Sequence, residues 1–196
     1  MTYIFVGLGN PGEEYINTRH NTGRIILEYY AKEMKATEWK TDGKLNAMTN
    51  KVKIGKSGVV LILPNTFMNN SGKSVKPLVT SLKGAEKLVV IYDDLDLPFG
   101  SSKISFNKSS GGHRGLESII KALKTEKFAR VRVGIAPTSS TGKLRKPQGE
   151  EKVMKHILGK FKSEELLELK KLSKKVTGAL NTFIESGLEK AMTEFN

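Results

Sequence analysis

Four apolar runs rich in β-branched residues, Tyr3 to Val6, Val59 to Leu63, Leu88 to Tyr92 and Val131 to Ile135, constrain the fold more than any other feature of the chain. Each is short and bounded by turn-forming or polar residues, the pattern of a buried strand. Shorter alternating pieces, Leu45 to Met48, Lys51 to Ile54 and Lys103 to Phe106, read as half-exposed antiparallel additions. Helical spacing lies between the strands, over Ile25 to Met34 and again at Leu116, Ile119, Ile120 and Leu123. A last amphipathic stretch opens with Ser163 as the expected N-cap, then Glu164 and Glu165, and continues through Leu166, Leu169, Leu172, Val176, Leu180 and Phe183. Strands alternating with helices predict an α/β protein: one three-layer domain over 1–196, a mixed twisted sheet flanked by helices, with 163–196 packing on or lidding a cleft. Sites in such folds form where loops leave the carboxyl ends of strands.

The charge narrows the partners. Lys and Arg number 33 against 20 Asp and Glu, a formal +13 that suits a polyanion. It is concentrated late, since Gly142 to Lys175 carries eleven basic residues against five acidic ones. The absence of cysteine rules out disulfides, thiolate nucleophiles and thiolate metal sites, and fits a reducing compartment. No basic n-region precedes an apolar h-region, and no run is long enough to span a bilayer, so the expected location is the cytoplasm.

Within Phe5 to Gly23, a short loop follows the first strand and gathers Asn10, Tyr15, Arg19, His20 and Asn21. Gly7, Gly9 and Gly12 match the letters of a dinucleotide fingerprint, but the context does not. There the helix opens inside the glycine run so that its amides meet the pyrophosphate. Here Pro11 and the polar run Glu13 to Asn21 intervene before any apolar periodicity.

His20 precedes a helix and is expected to be partly exposed. Imidazole suits a general base near neutral pH, and it needs an orienting carboxylate. Asp93, directly after the strand Leu88 to Tyr92, is placed to fix the tautomer and stabilise the imidazolium, while Asp94 and Asp96 fit a strand-ending turn. A metal site built from those three carboxylates lacks a ligand histidine at helical spacing, so no metal and no organic cofactor is expected. No serine lies in G-x-S-x-G; Ser71 follows two asparagines. Attack by activated water is simpler than an acyl-enzyme, and Asn10 and Asn69 offer amides for an oxyanion. His113 and Arg114 follow Gly111 and Gly112 at a helix start, which reads equally as an anion site or a capped end.

The same loop, with PNTFMNNSGK (Pro64 to Lys73), VVIYDDLDLPFG (Val89 to Gly100) and SGGHRGLESI (Ser110 to Ile119), resembles the bacterial-type peptidyl-tRNA hydrolase family in motif order and separation. The resemblance runs from Tyr3 to the C-terminus and is weakest between Thr138 and Lys155. It implies hydrolysis of the ester between a peptide and the 3′-terminal ribose of tRNA, recycling tRNA in translation and ribosome rescue. His20 and Asp93 are the implied catalytic pair, with Asn10 discriminating blocked from free aminoacyl ends and Asn69 holding the substrate terminus. Tyr15, Phe67, Asn21, His113 and Arg114 are implied substrate contacts, and Lys103 and Arg132 belong to a basic track for tRNA. The implied partners are peptidyl-tRNA and tRNA, with no membrane, no stable protein partner and a monomer as the default.

Three departures stand out. Arg114 occupies a position that is usually asparagine, Ser105 one that is usually lysine, and Ala136 to Glu150 is longer and more basic than the family loop. His156 has no assigned role. The rival readings are a catalytically silent RNA-binding relative of the same fold and an esterase or amidase for small acyl substrates.

Overall fold

Alternation along the first strand sets the layers. In β1 (Thr2–Gly7), Phe5 points into one core with Ile26, Leu27, Leu61, Ile91, Val133 and Leu180, while Ile4 and Val6 point into a second with Val90, Leu116 and Ile119. Fully burying such side chains is worth about 1.5–3 kcal/mol each, so a sheet apolar on both faces requires helices on both. The computed structural model describes every residue, Met1–Asn196, and shows that sandwich.

Seven strands lie in the order β2-β3-β4-β1-β5-β7-β6. The centre is parallel: β1 pairs with β4 (Ser57–Pro64) and β5 (Leu88–Pro98), and β5 with β7 (Ala129–Ala136). The margins, β2 (Lys40–Asp42) with β3 (Ala47–Ile54) and β6 (Ser102–Phe106), are antiparallel. Helices α1 (Thr22–Glu33) and α6 (Ser163–Ser186) cover one face, and α4 (Arg114–Leu123) the other beside the short α2 (Gly72–Val75). Two further helices, α3 (Leu82–Ala85) and α5 (Glu150–Leu158), precede β5 and α6, and α7 (Leu188–Phe195) ends the chain.

The mixed three-layer α/β architecture is as predicted, and several boundaries differ. Leu45 to Met48 and Lys51 to Ile54 are not two pieces: β3 runs unbroken against β4, because Asn50 keeps its place in the ladder and sends its amide to the Thr37 carbonyl. β5 does not stop at Tyr92. Asp93 and Asp94 still pair with Val133 and Gly134, so both acids sit on the sheet rather than in a turn. Ser163 is the first helical residue of α6 and not its cap; the Glu165 carboxylate accepts the Lys162 N–H at 2.7 Å. Gly187, at φ 89°, then separates α6 from α7. Asn196 finishes the fold by exchanging two side-chain hydrogen bonds with the Ile104 backbone, which protects the edge strand β6.

One close approach positions the site. The Arg24 N–H donates to the Leu8 carbonyl and the Leu8 N–H to the Ile91 carbonyl, so the start of α1 is drawn against the β1–β5 seam. Gly23 makes this possible, since a Cβ there would overlap the Ile91 oxygen and the Leu8 backbone. The turn preceding α1, Arg19–Asn21, is thereby held beside the carboxyl end of β5.

Candidate active site

That turn carries His20, and the expected partial exposure does not hold: the ring is buried, with 8 % of the residue accessible. Its Nδ1 lies 3.0 and 3.1 Å from the two carboxylate oxygens of Asp93. Nε2 has no protein partner, and His20 lines a cleft of about 700 Å³. Burial opposes charging of the imidazole and is the largest influence on it; the Asp93 charge and hydrogen bond together outweigh burial, and Arg114 acts against them. The net effect raises the pKa of His20 above its ordinary value. Asp93 is itself buried, which disfavours its charged form, yet the two histidines around it hold its carboxyl well below the usual carboxylate range.

The second histidine is His113, whose Nε2 is 3.0 Å from Asp93 Oδ1. Its Nδ1 accepts the Leu116 N–H at 3.2 Å and caps α4, so the ring proton sits on Nε2 and is donated to Asp93. The edge of Tyr92 meets the ring at 4.9 Å between centroids. Sequence reasoning saw the cap but missed the carboxylate contact. The available signal was that a buried Asp93 needs more than one donor.

His20, Asp93 and His113 form the one cluster with metal-ligand chemistry, their candidate ligand atoms lying within 4.8 Å of one another. No ligand histidine stands at helical spacing from these acids in the sequence, but the fold brings two to Asp93, His20 and the unforeseen His113. A metal at His113 Nε2 would drive the proton to Nδ1 and break the α4 cap. The hydrogen bonding thus suits proton transfer better than ligation. Asp94 and Asp96 are committed elsewhere: Asp94 takes the Asp96 N–H and Arg132 Nε, both at 2.7 Å, and Asp96 pairs with Lys146.

The asparagines divide their duties. Asn10 Oδ1 accepts the Met68 N–H at 2.8 Å, which leaves Nδ2 as its free donor on the cleft wall. Asn21, expected among the substrate contacts, instead spends both amide atoms on the Asn10 backbone, at 2.8 and 2.9 Å. It braces the Asn10 loop. Asn69 and Phe67 line the cleft and are exposed, Phe67 at 59 %, so Phe67 is not a core side chain. Tyr15 stands behind Phe67, edge-on at 6.5 Å, and does not reach the cleft.

Arg114 lies at the cleft mouth, paired with Glu150 at 3.0 Å. Arg132 also lines the cleft and faces Lys103 across the β6–β7 ladder. The roof was not foreseen: α5 contributes Val153, Met154, Ile157 and Leu158, a helical stripe hidden in a lysine-rich stretch. His156 secures that roof by donating to the Ile135 carbonyl at 2.9 Å.

Fold and site define a three-layer α/β protein whose cleft holds a buried His20–Asp93–His113 cluster, with no hydroxyl or thiol hydrogen-bonded to His20. Within that class, the chain belongs to the peptidyl-tRNA hydrolase family, whose model matches residues 4–196. It is 39 % identical to the peptidyl-tRNA hydrolase of Aquifex aeolicus over 194 residues, covering 98 % of this chain and 95 % of that one. The corresponding protein of Herpetosiphon aurantiacus is 42 % identical over 197 residues, covering 99 % and 90 %. Among solved structures, the peptidyl-tRNA hydrolase of Acinetobacter baumannii superposes with a TM-score of 0.87 at 31 % identity, covering all of this chain and 94 % of the other. No helix is long and apolar enough to cross a membrane.

Proposed function

We propose that this protein cleaves the ester joining a peptide, or an N-blocked amino acid, to the 3′-terminal ribose of tRNA, with His20 as general base. The observation that carries the reading is the His20 Nδ1 to Asp93 contact at 3.0 Å, which leaves Nε2 without a protein partner at the cleft. Nδ1–H donates to Asp93, so the Nε2 lone pair is available to take a proton from water as its oxygen attacks the ester carbonyl. The imidazolium formed is stabilised by the Asp93 carboxylate, which His113 holds from its other side. Asn10 Nδ2 donates to the oxygen on which negative charge develops, and Asn69 orients the substrate terminus. As the tetrahedral intermediate collapses, Nε2–H returns its proton to the departing ribose oxygen, and the base is restored. Metal plays no part in this cycle.

Such an enzyme must accept many peptides, so affinity falls to the tRNA, through Phe67 at the terminal nucleotide and the basic track of Lys103 and Arg132 at phosphates. The setting is the cytoplasm and the working unit a monomer. A binding-only relative would have no use for a buried base held by an ionised acid.

The test is release of the blocked amino acid from N-acetylaminoacyl-tRNA, with free aminoacyl-tRNA and His20→Ala in parallel. Cleavage of the blocked substrate alone, lost in the variant, is expected. Retained cleavage in His20→Ala would remove the base from the mechanism. Intact tRNA binding with no cleavage by the unmodified protein would favour the RNA-binding relative.

A further inference from the structure

Arg19 precedes the proposed base, yet no step above uses it and it is absent from the cleft wall. Its guanidinium is nonetheless engaged on three sides. One terminal nitrogen lies 2.9 and 3.1 Å from the two carboxylate oxygens of Glu165, and the other donates to the Lys160 carbonyl at 3.3 Å. Its plane sits over the Phe161 ring, 5.1 Å from the centroid. The backbone repeats the connection: Arg19 N–H donates to the Gly159 carbonyl at 3.0 Å, Phe161 N–H to the Asn17 carbonyl at 2.8 Å, and Thr18 bridges Lys160. Glu165 is fixed in turn by accepting the Lys162 N–H. The side chains of Arg19 and Glu165 are only 16 % and 25 % accessible, so the pair is less screened than a surface one.

His20 needs such support. It stands in a single 3-10 turn, too short to have a hydrogen-bond ladder of its own, between a polar loop and α1. A base works only within about 0.5 Å of its productive place. We infer that Arg19 and Glu165 are positioning residues for the hydrolysis, a clamp that fixes the His20 turn to the α5–α6 junction and so holds the imidazole against Asp93. The clamp rests on the proposed role of His20. It also roots the cleft's roof, because Gly159 to Phe161 is where α5 ends and the chain turns into α6.

The experiment compares Arg19→Gln, Glu165→Gln, their double variant, Arg19→Lys and His20→Ala on N-acetylaminoacyl-tRNA, with kcat, KM, pH profile and thermal midpoint for each. Glu165→Gln keeps an acceptor for the Lys162 N–H and removes only the charge, so it remains informative where Arg19→Gln folds poorly. The expected result is a kcat lowered about 10- to 100-fold in the glutamine variants at nearly constant KM. The acid limb of the profile should move to lower pH as the imidazole loses its alignment with Asp93. Arg19→Lys should recover part of the loss, and the double variant should be no worse than the poorer single one. A raised KM at full kcat would make Arg19 a tRNA contact and overturn the clamp. So would a lowered midpoint with unchanged activity and pH profile per folded molecule. His20→Ala separates the two ideas: activity in that variant sinks the base itself, whereas an inactive His20→Ala beside a normal Arg19→Gln and Glu165→Gln sinks only the clamp.

Discussion

Replacing Asp93 by asparagine keeps the shape of the side chain and removes its charge, at a position whose side chain is 3 % accessible and contacts two imidazoles. Two losses follow. The developing imidazolium loses an opposite charge about 4 Å away, an interaction of about 4 kcal/mol at the effective dielectric of about 20 that suits such sites. At about 1.36 kcal/mol per decade, that is about a thousandfold in rate. The second loss is tautomeric. An amide has one oxygen to accept a proton and an NH₂ that donates, so it cannot serve His20 Nδ1–H and His113 Nε2–H together. His113 is committed by its cap on α4, so the amide oxygen stays with it, and His20 turns its acceptor to the NH₂ and carries its proton on Nε2, where it cannot act as a base. Together these predict a kcat lower by about 10³- to 10⁴-fold for Asp93→Asn, measured as single-turnover release of N-acetylamino acid with enzyme in excess. The pH profile carries an independent sign. The carboxylate raises the pKa of His20 against its burial, so in the variant the acid limb of the residual activity should move to lower pH. Activity within about tenfold of the unmodified enzyme, with the limb unmoved, would refute both the charge and the tautomer argument.

Asn10→Asp exchanges the free donor at the cleft for an acceptor, and kcat should fall about 10²- to 10³-fold in the same assay with tRNA binding preserved. Lys103 has no ion-pair partner whereas Arg132 is held by Asp94, so Lys103→Ala should weaken tRNA binding and reduce the slope of log K against log salt by about 1 in a titration. Gly23→Ala forces a methyl into the Ile91 and Leu8 backbone, and should lower stability by about 1–3 kcal/mol in denaturant melts while displacing His20. Asp93 has a depressed pKa, so its contribution to stability is present above the unfolded value of about 3.9 and is lost as the pH falls below it. The thermal midpoint of the unmodified protein should therefore drop more steeply below about pH 4 than that of Asp93→Asn.

The central strands were legible because burial on both faces forces continuous apolar runs, and β1, β4, β5 and β7 all carry them. What lay beyond the runs was harder to read. The extension of β5 through Asp93 and Asp94 has no apolar signature, since pairing with β7 and not side-chain burial keeps those residues in the sheet. The roof helix α5 was hidden for the opposite reason: its apolar stripe is real but interleaved with Lys152, Lys155 and His156. At the site, His20, Asp93 and Asn10 were legible as residue types suited to one chemistry. The roles of Asn21 and His113 were not, because each depends on which atom faces which partner across the fold. An asparagine that braces and one that binds are identical in sequence, and only the occupation of both amide atoms of Asn21 tells them apart.

Arg114, one of the three departures from the family resemblance, stands at the rim of the site. Its guanidinium is at the cleft mouth on Glu150, and both side chains are largely exposed, at 61 % and 81 %. Exposed pairs of this kind are worth about 0–1 kcal/mol, so an arriving tRNA can separate them at little cost. The groups proposed to move the proton are held without it: Asp93 by two histidines, His113 by the cap on α4, Asn10 by Met68 and Asn21. Arg114 therefore adds charge beside His20 while leaving the support of the imidazole intact. That charge disfavours the imidazolium of His20, opposite in sign to Asp93. Arg114→Asn should accordingly move the acid limb of the profile to higher pH, the reverse of Asp93→Asn, and retain turnover. A limb that moves the same way in both variants would mean that Arg114 acts on His20 through structure rather than through its field.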